Sequence, residues 1–183
     1  MNKKKLLIFT CCAPCVLPIL EYLKDSNLDI TLYFDNSNIC NKEEFEKRFL
    51  QICKISDVYG CKVVKVEYKH EEWIEFLKSN LDLSLDKYVE NSERCKKCLY
   101  FRTRLSFLFA EENMYDMITS TFLTNMYKDS DFVRETLNNL ILNTNIKLFD
   151  LNVDKKSFYI KGIELCKKFD IYRQKFCGCE FSM

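Results

Sequence analysis

A chain of 183 residues with 48% hydrophobic and 30% charged side chains can bury one core, and its length favours a single domain over residues 1–183. Twenty-eight basic and 27 acidic residues leave a net charge of +1, which excludes the globally basic character of a non-specific nucleic-acid coat. No apolar run reaches the length of a membrane span, and the start "MNKKKLLIFTCC" has too short an apolar stretch for a signal peptide, so a cytoplasmic protein with no membrane partner is expected.

Lys4 to Thr10 reads as a β-strand, and a helix follows from Pro14 through "VLPILEYLKD" despite Pro18 in its first turns. "DITLYFD" (29–35) is a second strand with the turn-rich "NSNICN" behind it, and Lys42 to Val58 is an amphipathic helix ending near Gly60. "CKVVKVEY" (61–68) is a third strand, and His70 to Asn80 a helix carrying Trp73; residues 81–94 read as irregular. Helix resumes from Cys95 to Glu112, "YDMITSTF" (115–122) is a fourth strand, and Asp129 to Leu142 a helix. "IKLFDL" (146–151) is a short fifth strand, Lys155 to Phe169 the last helix, and 170–183 a tail. Strands alternating with helices predict an α/β fold, a parallel sheet covered by helices on both faces, with ligands beyond the carboxyl ends of the strands.

Seven of the eleven cysteines fall in three groups: Cys11, Cys12 and Cys15 after the first strand, Cys95 and Cys98 at a helix start, and Cys177 and Cys179 near the C-terminus. With His70 the only histidine, a metal site here is almost wholly sulfur-ligated, which selects zinc, copper(I) or iron–sulfur chemistry. Cys12 and Cys15 share a face near a helix N-terminus, where the thiolate is favoured. Cys11, one residue earlier and strand-like, is expected to point elsewhere. Cys-x-x-Cys at 95–98 alone fits a zinc half-site or a redox dithiol, and Gly178 between Cys177 and Cys179 permits a tight curl around a metal. Seven thiols exceed the four of a tetrahedral zinc or a cubane by three, so one four-sulfur site beside a smaller site with an open position is expected. Cys40, Cys53, Cys61 and Cys166 stand singly and read mostly as packing.

The stretches "CCAPC", "YFDNSNI", "ERCKKCLYFR" and "YRQKFCGCEFS", in this order and over nearly the whole chain, resemble the QueH-type epoxyqueuosine reductases. One departure stands out, Asn125-Met126 where members of the family tend to carry Ser-Pro ahead of the lysine; Lys128 and Asp129 keep the polar end of that loop. The resemblance implies a Rossmann-like fold of the adenine-nucleotide α-hydrolase type, a [4Fe–4S] cluster beside a single iron ion, and reduction of epoxyqueuosine to queuosine at the wobble position of tRNA. Cys11, Cys95, Cys98 and Cys177 are assigned to the cluster, and Cys12, Cys15 and Cys179 to the single ion. The reaction takes two electrons and two protons, so an electron donor is a required partner alongside the tRNA.

Asp35 and Tyr100 are the candidate catalytic proton donors, with Tyr33 and Glu180 nearby; His70 is read as a solvated or capping residue at a helix start. For the tRNA, Arg94, Lys96, Lys97 and Arg173 are the expected phosphate contacts, Arg102 and Arg104 are divided between structure and RNA, and Tyr100 and Phe101 are placed to stack on a base. Two other classes compete. A zinc-stabilised RNA-binding module leaves the vicinal Cys11-Cys12 and three thiols unused, and a thiol–disulfide oxidoreductase on Cys95 and Cys98 lacks the aromatic residue expected before the pair.

Overall fold

The structure, a computed structural model, describes residues 3–182; Met183, the end of the expected tail, lies outside them. Its elements are β1 (Lys4–Phe9), α1 (Ala13–Leu23), β2 (Leu28–Phe34), α2 (Lys42–Tyr59), β3 (Lys62–Lys65), α3 (His70–Ser79), α4 (Glu93–Glu112), β4 (Met117–Ser120), α5 (Thr121–Thr124), α6 (Ser130–Ile141), β5 (Lys147–Leu148) and α7 (Lys155–Lys168). All strand pairs are parallel, in the order β3-β2-β1-β4-β5.

Central β1 explains its own sequence. Leu6, Leu7, Ile8 and Phe9 are all fully buried because both faces of the strand are covered. Leu6 and Ile8 enter a core with α1, α2 and α7, while Leu7 and Phe9 enter a second core with α4, α5 and α6. Burying a side chain of this size contributes about 1.5–3 kcal/mol, so β1 anchors both layers. A third, smaller cluster joins Trp73 and Leu77 of α3 to Leu85, Cys98 and Cys179.

Three strands are shorter than their hydrophobic patterns predict. β3 stops at Lys65, an edge strand whose Lys62 and Lys65 pair with Asp29 and Glu46, and β5, the other edge, holds two residues. β4 ends at Ser120 because that hydroxyl accepts the Phe122 N–H and caps α5, which turns Thr121 and Phe122 from strand to helix. Three other helix starts follow the same chemistry: Asn41, Asp129 and Asp154 cap α2, α6 and α7. α4 begins at Glu93, before the expected Cys95.

α1 and α7 meet closely. Pro18 has no N–H to donate to the Pro14 carbonyl, and that carbonyl faces Gly162 of α7 instead: a Cβ at Gly162 would stand 2.9 Å from the Pro14 oxygen. Alanine there gains about 1 kcal/mol of helix propensity but pushes α7 off α1 at an overpacking cost of about 1–3 kcal/mol. Gly162→Ala is therefore expected to lower the melting temperature measured by circular dichroism. A rise would mean that the two helices separate freely.

Candidate metal centre

The strand order reverses at β1, which has β2 on one side and β4 on the other, and a crevice opens beyond their carboxyl ends. Cys11 sits at that edge, its backbone N–H donating to Thr121 Oγ1 at 3.1 Å and so tying the end of β1 to the start of α5. Cys12 stays extended (φ −169°, ψ 161°) as the residue before α1, and its side chain caps nothing. The three sulfurs of Cys11, Cys12 and Cys15 lie within 4.8 Å of one another, with Cys11 and Cys12 at 3.7 Å. Ligands about 2.3 Å from one tetrahedral ion stand about 3.8 Å apart, so the triad has single-ion spacing. The expectation that Cys11 points away from Cys12 and Cys15 is thus corrected: the extended Cys12 lets the chain curl, and all three thiols face one point.

Electrostatics agree. Hydrogen bonds from the Cys12 and Cys15 thiols, helped by Thr121 and Arg102, hold Cys11 well below the usual thiol range despite its burial. Bonding to Cys11 raises Cys12 and Cys15 in turn, and burial adds to it. Binding a metal to such a triad releases the protons its thiols still hold.

Cys95, Cys98 and Arg102 follow one another at i, i+3 and i+7 along one face of α4. The tail brings Cys177 and Cys179 to them without regular secondary structure, pinned by a buried cation. Arg48 pairs with Glu44 at 2.7 Å and donates to the carbonyls of Cys177 at 2.8 Å and Phe176 at 3.3 Å. Gly178, at φ +125°, passes so close that a Cβ would stand 2.9 Å from Ile39, and its carbonyl accepts the Cys40 N–H at 3.0 Å. The Lys128 ammonium donates to Cys177 Sγ at 3.4 Å. With the Cys179 thiol donating, and Lys128 and Arg102 adding positive charge, Cys177 falls to about 5. Cys179 is pushed up by the same bond, and Cys98 by burial.

Two adjoining cavities result. One of about 610 Å³ has Cys11, Cys15 and Cys177 in its wall. The other, about 390 Å³, is lined by Cys95, Cys98, Cys177 and Cys179. Arg102, Lys128 and Cys177 line both. Of the residues around them, Trp73 Nε1, Arg102 Nε and Gln174 Oε1 are buried with no hydrogen-bond partner among the described residues. Soft thiolates, single-ion spacing at the triad and unpartnered polar groups around a four-thiol cavity fit a sulfur-ligated metal cofactor.

Some expected site residues stand elsewhere. Asp35 is buried behind the site, accepting from Ser37 at 2.7 Å and Tyr33 at 3.5 Å, and burial raises its carboxyl; it lines neither cavity, although its neighbour Asn36 does and accepts from Arg102. Tyr100 faces out of α4 and stacks on Phe76, outside both cavities. Arg94 lines the smaller cavity but is buried, donating to the Leu85 and Tyr88 carbonyls and lying over Phe181, so its charge holds the loop before α4. Arg102 is likewise structural, its guanidinium over Phe9 and Phe122. Lys96 is partly exposed and paired with Glu93, Lys97 is half-buried, and Arg104 is exposed. Arg173 is exposed at the rim of the larger cavity. His70 is not solvated: Nδ1 lies 2.8 Å from the Ser37 carbonyl, Nε2 faces Glu180, and the ring packs against Tyr68 and Trp73. Sequence reasoning missed Arg48 and Asn125, whose amide donates to Cys15 Sγ at 3.3 Å. The polar run "TNMYKD" behind β4 was the available signal for Asn125; nothing local marks Arg48.

The family model for epoxyqueuosine reductase QueH matches residues 6–183. Curated relatives bearing that name include one from Thermotoga maritima, 29% identical over 180 residues that cover 97% of this chain and 89% of the relative. Another, from Staphylococcus epidermidis, is 29% identical and covers 99% of this chain and 77% of its own. A third, from Acinetobacter baylyi, is 25% identical over 183 residues, covering all of this chain and 82% of its own. Among solved structures, the U34-tRNA thiolase NcsA from Methanococcus maripaludis, determined with its [4Fe-4S] cluster, superposes with a TM-score of 0.55 at 15% identity. The match covers all of this chain but only 62% of the thiolase, and it establishes a shared Rossmann-like fold.

Thiolates, not thiols, react with iodoacetamide, and at pH 6.5 an ordinary cysteine is ionised in only about one molecule in a hundred. In metal-free protein at that pH, Cys177 and Cys11 are expected to alkylate ahead of Cys98 and Cys179, as read by peptide mass spectrometry, and Lys128→Ala is expected to slow Cys177. Faster labelling of Cys98 than of Cys177 would contradict the charge distribution.

Proposed function

The chain belongs to the epoxyqueuosine reductase QueH family, and from that premise we propose how its grouped thiols serve the reduction of epoxyqueuosine to queuosine at the wobble position of tRNA. One observation carries the reading: three cysteine groups far apart in sequence converge on two adjoining cavities at the switch point of the sheet. The reading treats residues 1–183 as one catalytic unit, since the larger cavity draws on the chain from Cys11 to Ser182. Among the described residues no helix is long and apolar enough to cross a membrane, in keeping with an enzyme that meets tRNA in the cytoplasm.

Cys95, Cys98, Cys177 and Cys179 would hold an iron–sulfur cluster, and Cys11, Cys12 and Cys15 a single iron. This division moves Cys11 to the ion and Cys179 to the cluster, because the triad spacing suits one ion and the remaining four thiols line one cavity. When bound, such a pair supplies single electrons from the cluster and a Lewis acid with a free position from the ion. An external donor provides the two electrons, and the epoxide oxygen leaves as water after taking two protons.

The protein's own part is to seat the base and hold protons. Lys128 is the proton-bearing group we assign in place of Asp35 and Tyr100, because its Nζ lies at the wall shared by both cavities. Burial opposes its charge, yet the Cys177 thiolate outweighs burial and its ammonium is held above the usual range. Asp35 is left to fix the loop that carries Asn36, whose amide also donates to the Thr10 carbonyl at 3.0 Å.

Anaerobically reconstituted protein is expected to hold about five irons per chain, four of them in the cluster. Cys15→Ala should keep the brown absorption, lose about one iron and lose nearly all reduction of epoxyqueuosine-tRNA. Cys98→Ala should bleach the protein, whereas Cys53→Ala should leave colour and activity unchanged. Bleaching by Cys15→Ala with colour retained in Cys98→Ala would reverse the two sites, and full activity in Cys15→Ala would remove the second iron from the mechanism.

A further inference from the structure

Tyr127 and Tyr159 are 58% and 37% exposed, unusual for rings that normally bury. They come from different elements, the loop behind α5 and helix α7, yet meet edge to face with centroids 5.8 Å apart at the larger cavity. Met126 beside them is also exposed. The pair is held in register with the thiol triad by a single side chain: Asn125 Oδ1 accepts the Tyr127 N–H at 2.8 Å while its Nδ2 donates to Cys15 Sγ.

Charge around this cavity is one-sided. Among the described residues, Arg48, Arg102, Lys128, Arg173 and Lys175 line it against the one carboxylate of Glu90, on a chain whose net charge is +1. Arg173 and Lys175 are exposed at the same cavity. Exposed aromatic faces beside exposed cations are what an unpaired base and its phosphates require.

We propose that Tyr127 and Tyr159 form a stacking platform for an anticodon base next to the reacting nucleotide, with Arg173 and Lys175 taking the adjacent phosphates. The proposal rests on the tRNA reading above and moves the RNA contacts from the outer face of α4 to the cavity mouth. Through Asn125, the stacked base sets how far the wobble base reaches toward Cys15.

The test is binding of a labelled anticodon stem–loop RNA to reconstituted enzyme, read by fluorescence anisotropy, beside turnover of epoxyqueuosine-tRNA. Tyr127→Ala and Tyr159→Ala are each expected to weaken binding about tenfold, while Tyr127→Phe and Tyr159→Phe bind as wild type and Tyr100→Ala is neutral. Arg173→Ala and Lys175→Ala should each lower the slope of log affinity against log salt by about 0.7. Unchanged binding in the alanine variants, with wild type binding and turning over, overturns the platform alone. Loss shared by the phenylalanine variants overturns stacking in favour of the hydroxyls, and loss in Tyr100→Ala instead returns the RNA to α4. A wild type that neither binds the stem–loop nor reduces the tRNA overturns the functional reading together with the platform.

Discussion

Arg48 holds the site together from behind. The tail after α7 has no ladder to satisfy its backbone, and buried carbonyls need donors. Arg48 supplies them to Cys177 and Phe176 while Glu44 balances its charge. Tyr172 leans on the same carboxylate, with its hydroxyl 3.3 Å from both Glu44 oxygens. Removing the guanidinium would leave the Cys177 and Phe176 carbonyls without their donor, at about 1–3 kcal/mol for each group. Two thiols would lose their position with it. The metal centre therefore depends on a residue of α2 that touches no sulfur through its own charge pair.

The sheet supplies the other half of the arrangement. Because β1 has neighbours reached by opposite crossovers, its carboxyl end opens into a crevice instead of a covered edge. Cys11 leaves β1 at that point, Asn36 and Asn38 follow β2, and Asn125 and Lys128 follow β4. Polar loops from three adjacent strands thus surround the thiols, and α4 crosses behind to add Cys95 and Cys98. The third hydrophobic cluster, built on Trp73, seats Cys98 and Cys179 against apolar surface. That burial raises the Cys98 thiol, and Cys179 is raised first by its bond to Cys177 and then by burial.

Charge is divided along the same line. The triad shares one proton-poor sulfur, Cys11, and the tail contributes another, Cys177. Arg102 stands near both, buried over Phe9 and Phe122, and lines both cavities. A guanidinium stays charged at any relevant pH. It can therefore balance thiolates whether or not metal is bound, which is a structural reason for a buried arginine at that point of α4.

Much of this was legible in the sequence, because local chemistry wrote it. Short apolar runs gave β1 and β2, Gly60 marked the end of α2, and the three cysteine groups named every sulfur that the cavities gather. The short strands were less legible, since a hydrophobic pattern does not say where an edge stops or that Ser120 will cap a helix. Direction was legible only within one turn, as for Cys12 and Cys15 on one face. Cys11 and Cys12 look divergent as neighbours in a strand, yet the extended Cys12 and the start of α1 turn them to one point. Arg94 and Tyr100 look like surface chemistry beside Cys95, but the helix turns one inward to the Leu85 loop and the other away from the cavities. Arg48 and Asn125 carry no motif, because their partners are 129 and 110 residues away in sequence. Residue types and spacing determined which chemistry was possible; only packing across the sheet decided which side chains face it, because facing is fixed by contacts between segments that no local pattern encodes.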